Sequence, residues 1–126
     1  KNMPFEINLK CLVDKDRKIL NKVKKKFNFN QSLLSWREAL NDKTIDIVDI
    51  CTPNKSHYEI IKIAAKKKKF IYCEKPLSNT LIESAKIQKI INQNKVGSYV
   101  GYNFHIFMGM HRKTCLRLDS IIIPNY

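Results

Sequence analysis

With 126 residues, 44% of them hydrophobic, the chain has material for one domain with a modest core and not for two. Its 24 Lys+Arg against 11 Asp+Glu give a net charge of +13, which alone would suit nucleic acid, an anionic membrane surface or an acidic ligand. The excess is nearly all lysine, however, and the few arginines (Arg17, Arg37, Arg112 and Arg117) are scattered rather than mixed with aromatics into a basic strip, so the charge reads as solvated helix faces and nucleic-acid binding is disfavoured.

Cys11, Cys51, Cys73 and Cys115 form no C-x-x-C pair, and the first three lie in apolar runs of strand type. They read as reduced, buried thiols of a cytoplasmic protein. No secretory pattern and no apolar run of membrane-spanning length occurs, so no membrane partner is expected. Residue 1 is Lys, which suggests processing or an incomplete chain.

Residues 7 to 13 are a short β-type run ending at Asp14, and Ile19, Leu20, Val23 and Phe27 then recur at helical spacing. Lys22, Lys24, Lys25 and Lys26 fall on the outer face of that helix. Residues 45 to 51, rich in β-branched side chains, end at Thr52-Pro53-Asn54, where proline stops the strand. Ser56 with Glu59 three residues later has a capping-box pattern, and Ile60, Ile61, Ala64 and Ala65 supply a buried stripe. Lys66 to Lys69 close that helix, where cations complement the dipole, and no ligand is assigned to them.

Phe70-Ile71-Tyr72-Cys73 reads as a third strand ending in Glu74-Lys75-Pro76. Thr80 with Glu83 caps a third helix running through Ile87, Ile90 and Ile91, and Ser98 to Tyr102 makes a fourth strand. The stretch from Leu116 to Tyr126 reads as a strand or as disorder. Strands alternating with helices of this length imply crossover connections and a parallel sheet, an α/β fold of the doubly wound kind.

In such sheets ligands bind beyond the carboxyl ends of the strands. Asp14, Thr52-Pro53-Asn54, Glu74-Lys75-Pro76 and Asn103 follow the four strands and should outline one cleft. An acid placed as Asp14 is accepts from ribose hydroxyls and repels a 2′-phosphate, favouring NAD over NADP. The alternative is that Asp14 or Asp16 merely caps the following helix.

Ser35-Trp36-Arg37, then Ile45-Asp46-Ile47-Val48-Asp49-Ile50-Cys51-Thr52-Pro53-Asn54 with His57, then Cys73-Glu74-Lys75-Pro76-Leu77, resembles the Gfo/Idh/MocA oxidoreductase family, inositol-dehydrogenase-like members above all. The likeness runs from about Leu9 to Phe104. It implies a Rossmann domain carrying NAD(P), followed by an α+β domain that completes a sugar or polyol pocket and often mediates homo-oligomerisation. By the family pattern, Asp14 would hold the adenosine ribose, Thr52, Pro53, Asn54 and His57 would line the cofactor, and Glu74 and Lys75 would flank the nicotinamide. Pro76 would stiffen the junction through a peptide bond that is often cis in the family, and Asn103 would lie at the domain junction, where His105 replaces an expected arginine. Lys75 would also reach the substrate hydroxyl, where an ammonium stabilises developing alkoxide charge and takes part in proton transfer. His57 has a plainer alternative as a partly exposed residue at a helix start.

The chain departs from the pattern in two ways. It has no glycine before Gly97, so the first strand and its G-x-G-x-x-G turn, the pyrophosphate anchor, are expected to be missing. That strand would lie between those ending at Asp14 and at Thr52, leaving two interior edges exposed or forced to pair. The second domain with its catalytic Asp and His is also missing. The expectation is therefore a partial Rossmann domain over residues 1–104, with a truncated or divergent tail over 105–126, inactive alone. The rival readings are a non-catalytic remnant or interaction module, and a basic nucleic-acid binder.

Overall fold

The computed structural model describes residues 7–101 and the backbone of a strand at 118–123. In chain order the elements are β1 (Ile7–Val13), α1 (Arg17–Phe27), β2 (Gln31–Leu33), α2 (Trp36–Asn41), β3 (Ile47–Ile50), a 3-10 turn (Asn54–Ser56), α3 (His57–Lys66), β4 (Phe70–Glu74), α4 (Leu81–Asn94), β5 (Ser98–Gly101) and β6 (Leu118–Ile123). The strands form one six-stranded sheet in the order β2-β1-β6-β3-β4-β5, and every pairing is parallel.

Helices cover both sheet faces. Cys11 and Val13 of β1, Val48 and Ile50 of β3 and Ile71 and Cys73 of β4 share a core with Ala39 and Leu40 of α2, Ile60, Ile61, Ala64 and Ala65 of α3 and Ile87 and Ile91 of α4. A smaller core on the other face joins Leu12 to Leu20 of α1 and to Phe29. The α3 stripe read from the sequence is fully buried. In α1 the reading holds for Leu20 but not for Phe27, which is 52% exposed, because the helix ends at Asn28 in the left-handed conformation (φ 58°) and Phe29 turns back to fill the core.

The caps also divide. Thr80 accepts from the Glu83 N–H at 3.2 Å, as expected. Ser56 makes no cap bond: its hydroxyl faces Thr52 Oγ1 at 2.8 Å and the Pro53 carbonyl at 2.7 Å, because the 3-10 turn carries the chain into α3 already coiled. The lysine run does more than complement a dipole. Lys68 adopts φ 60°, and Lys69 is 5% exposed with its ammonium donating to the carbonyls of Asp42 (2.7 Å) and Ile45 (2.6 Å). Burial lowers the Lys69 pKa, while those two carbonyls keep the ammonium satisfied.

The sheet differs from the sequence reading in strand number. Gln31–Leu33 was not legible as a strand, being too short to show a period. The largest difference is β6. The interior edges of β1 and β3 are not bare, because residues from the expected tail lie between them: Val48 pairs with Ile121 on one side and Cys11 with Ile121 on the other. Backbone groups at a sheet centre need partners on both sides, and this strand supplies them.

Removing residues 118–126 should therefore cost far more than trimming a surface tail. A loss of about 2 kcal/mol corresponds to a drop of roughly 10 °C in thermal midpoint for a domain of this size, and the bared edges should promote self-association. Calorimetry with sedimentation velocity checks both; an unchanged midpoint and a monomer would mean that the sheet does not need β6.

Candidate functional site at the carboxyl edge of the sheet

Because the strands run parallel, the residues that follow β1, β3 and β4 emerge on one edge. Chain progression reverses about β6, from β1 outward to β2 on one side and from β3 through β4 to β5 on the other, which makes this edge a topological switch point. Asp14, Thr52-Pro53-Asn54 and Glu74-Lys75-Pro76 all stand here. Asn103 lies outside the described residues.

Asp14 and Asp16 have different duties. Asp16 is the N-cap of α1, its side chain accepting from the Lys18 N–H at 2.7 Å. Asp14 accepts from the Asp16 N–H at 2.7 Å, and its own N–H donates to the Leu33 carbonyl. The capping alternative thus belongs to Asp16, and the half-exposed Asp14 carboxylate keeps acceptor capacity. An open depression lined by Arg17, Asn21, Leu33 and Glu38 lies beside α1 and β2, on the Asp14 side of the edge.

The loops after β3 and β4 are tied to each other. Asn54 donates to Asn79 Oδ1 at 3.0 Å. His57, the first residue of α3, is only 1% exposed, and its ring nitrogens approach the Thr52 carbonyl (2.7 Å) and the Leu77 carbonyl (3.2 Å). The imidazole is therefore not the partly exposed group of the plainer sequence reading; it is packed beneath both loops. Lys75 and Pro76 are exposed, and the peptide bond between them is cis.

Below the edge lies a group that the sequence did not single out. Asp49 of β3, Tyr72 of β4 and Tyr99 of β5 are register partners, and the two tyrosine rings stack at 5.3 Å. Gly101 permits this crowding, since a Cβ there would lie 2.8 Å from the Tyr72 hydroxyl. Burial raises the Asp49 pKa, opposed by the Cys51 thiol, which donates to Asp49 Oδ1 at 3.3 Å, and reinforced by the Glu74 charge. Its only sequence signal was a carboxylate at a strand position among β-branched neighbours.

Comparison with known proteins shows the family. Residues 1–102 match the profile of the oxidoreductase family with an NAD-binding Rossmann fold, GFO_IDH_MocA. The chain belongs to the Gfo/Idh/MocA oxidoreductase family. Levoglucosan dehydrogenase of Pseudarthrobacter phenanthrenivorans is 33% identical over 95 residues, covering 75% of this chain and 24% of that protein. Myo-inositol 2-dehydrogenase of Thermotoga maritima is 30% identical over 94 residues, covering 75% and 26%. The solved levoglucosan dehydrogenase complex with NADH and L-sorbose superposes with a TM-score of 0.70 at 32% identity, covering 74% of this chain and 25% of that one. The chain thus spans about a quarter of the length of these relatives.

NAD is the cofactor of this family fold, and the described residues fit it in part. Asp14 presents a half-exposed carboxylate acceptor, and the loops after β3 and β4 offer polar flanks across the switch point. A glycine-rich turn, by contrast, is not found among the described residues up to Val96, which contain no glycine.

The thiols of Cys11, Cys51 and Cys73 should be inert. Burial pushes Cys73 up to about 12 and Cys11 up to about 11 from 9.0, and pushes Cys51 higher still. Since the thiolate is the reactive species, two pKa units mean about a hundredfold less of it at pH 8 for Cys11. In a Cys115→Ser background, Ellman's reagent should react at least that much more slowly with the folded chain than in denaturant. Rapid labelling of the folded chain would contradict the burial.

Proposed function

We propose that this chain is the cofactor-binding part of an oxidoreductase that moves hydride between NAD and a secondary alcohol of a sugar or cyclitol. The observation that carries the reading is the convergence of Asp14, Thr52-Pro53-Asn54 and Glu74-Lys75-Pro76 on one switch-point edge, within a family whose relatives include levoglucosan and inositol dehydrogenases. When bound, NAD supplies the hydride acceptor.

Asp14 accepts from the adenosine ribose hydroxyls and disfavours the 2′-phosphate of NADP. Thr52, Pro53 and Asn54 line the cofactor, with His57 beneath them, and Glu74, Lys75 and Pro76 flank the nicotinamide, with Asn103 completing the junction. Lys75 is the catalytic residue: its exposed ammonium meets the substrate hydroxyl and moves a proton at Nζ as charge develops on oxygen. Without a glycine-rich turn the chain holds only the two ends of the dinucleotide, so the isolated chain binds NADH weakly and does not turn over. The full-length protein is a cytoplasmic homo-oligomer, a reading supported by the buried thiols and by the family.

A second reading, a non-catalytic remnant, is favoured by one observation: the central slot at the switch point is filled by β6, which lies between β1 and β3.

In a full-length protein carrying this domain, Lys75→Met should lower turnover by about a hundredfold to ten-thousandfold, the range for loss of a positioned proton-transfer group, with little change in NAD affinity. Asp14→Ala should do the reverse, weakening NAD and relaxing discrimination against NADP while sparing turnover at saturating cofactor. Steady-state kinetics with NADH fluorescence titration reads both. An unchanged rate in Lys75→Met rejects the assigned role, and micromolar NADH binding by the isolated chain rejects the argument from the missing turn.

A further inference from the structure

His57 is the one buried imidazole among the described residues, and its surroundings pose a proton-counting problem. A neutral ring has one N–H and one lone pair. Here both nitrogens face carbonyl oxygens, Nε2 at 2.7 Å from Thr52 and Nδ1 at 3.2 Å from Leu77, and a carbonyl can only accept. A contact of 2.7 Å between two lone pairs would be repulsive, so the proton sits on Nε2 and is donated to Thr52. In a neutral ring Nδ1 is then an acceptor, and the Leu77 carbonyl at 3.2 Å cannot be its donor.

The donor in reach is Cys73 Sγ, 3.3 Å away. The Cys73 thiol is 1% exposed, and burial, followed by the Asp49 and Glu74 charges, pushes it up to about 12, so it holds its proton at any ordinary pH. Its other acceptor, the Glu74 carbonyl, is farther at 3.5 Å.

We infer that His57 is a positioning residue, fixed as the neutral Nε2–H tautomer in a relay from the Cys73 thiol through the ring to the Thr52 carbonyl. The relay joins the end of β4 to the loop after β3. Cys73 lies two residues before Lys75, and Thr52 opens the Thr52-Pro53-Asn54 loop, so one ring sets the spacing between the two loops. Side-chain hydrogen bonds of a buried group are directional and costly to leave unmade, which suits a spacer better than apolar packing would. The value of positioning Lys75 rests on the proposed function; the tautomer and the relay do not.

Long-range proton–nitrogen correlation on the histidine rings of the chain as it stands reads the tautomer directly, with the His57 ring assigned through its bonds to the assigned backbone. The expected spectrum has a protonated Nε2 and a lone-pair Nδ1. Cys73→Ala should move the Nδ1 resonance and the backbone amides of Thr52, Asn54 and Lys75, whereas Cys73→Ser, which retains a hydroxyl donor, should restore the Nδ1 pattern. A purely packing role predicts no such rescue. A protonated Nδ1, either alone or in an imidazolium, overturns the inference, as does a Cys73→Ala spectrum in which Nδ1 and the Lys75 amide stay in place. Should Cys73→Ala fail to fold, the unsubstituted chain still decides the tautomer, and the Cys73→Ser spectrum decides the relay. Failure of Lys75→Met to slow a full-length enzyme would sink the catalytic reading alone and leave the His57 relay standing.

Discussion

The structure depends on the need for backbone partners at the centre of a parallel sheet. β1 and β3 each carry one edge toward the middle, and each edge is a row of N–H and C=O groups that burial between two helical layers would leave unsatisfied. Residues 118–123 meet both rows at once, with Ser120 to Ile123 paired along β3 and Leu118 to Ile122 along β1. Without a strand in that position the order β2-β1 and the order β3-β4-β5 would be two separate ribbons.

From that continuity follows the geometry of the edge. Parallel pairing brings Asp14, Thr52 and Lys75 out in the same direction, and the reversal of strand order about the centre opens a crevice where helices diverge to opposite faces. The loops around the crevice are held by contacts distant in sequence: Asn54 to Asn79, and His57 to Thr52, Leu77 and Cys73. Exposed loops fixed by a buried polar cluster are suited to presenting groups to a ligand, since the side chains that point outward remain available while the backbone is constrained.

Charge is partitioned in the same spirit. The net charge of +13 comes from lysines spread over helices and loops, most of the described ones exposed, where screening makes each contribute little. Beneath the sheet edge the sign reverses: Asp49 and Glu74 sit near two thiols and a tyrosine pair, and burial raises the pKa of Asp49, Cys51, Cys73 and Tyr72 alike. Among the described cations Lys69 is the exception, buried because two loop carbonyls replace its water.

By itself the sequence determined most of the alternation of strands and helices, though not β2 or α2, together with the buried stripe of α3, the Thr80 cap and the motif residues that place the chain in its family, because hydrophobic period, turn chemistry and motif spacing are local properties. It also shows that no glycine precedes Gly97, which is a matter of reading. Only the tertiary structure decided what stands at the sheet centre. Whether Leu118–Ile123 is a strand depends on two edges more than sixty residues upstream, and no local pattern encodes that pairing. The same holds for the surroundings of His57, Lys69 and Asp49: their burial is set by carbonyls, thiols and rings brought to them from other strands by long-range packing.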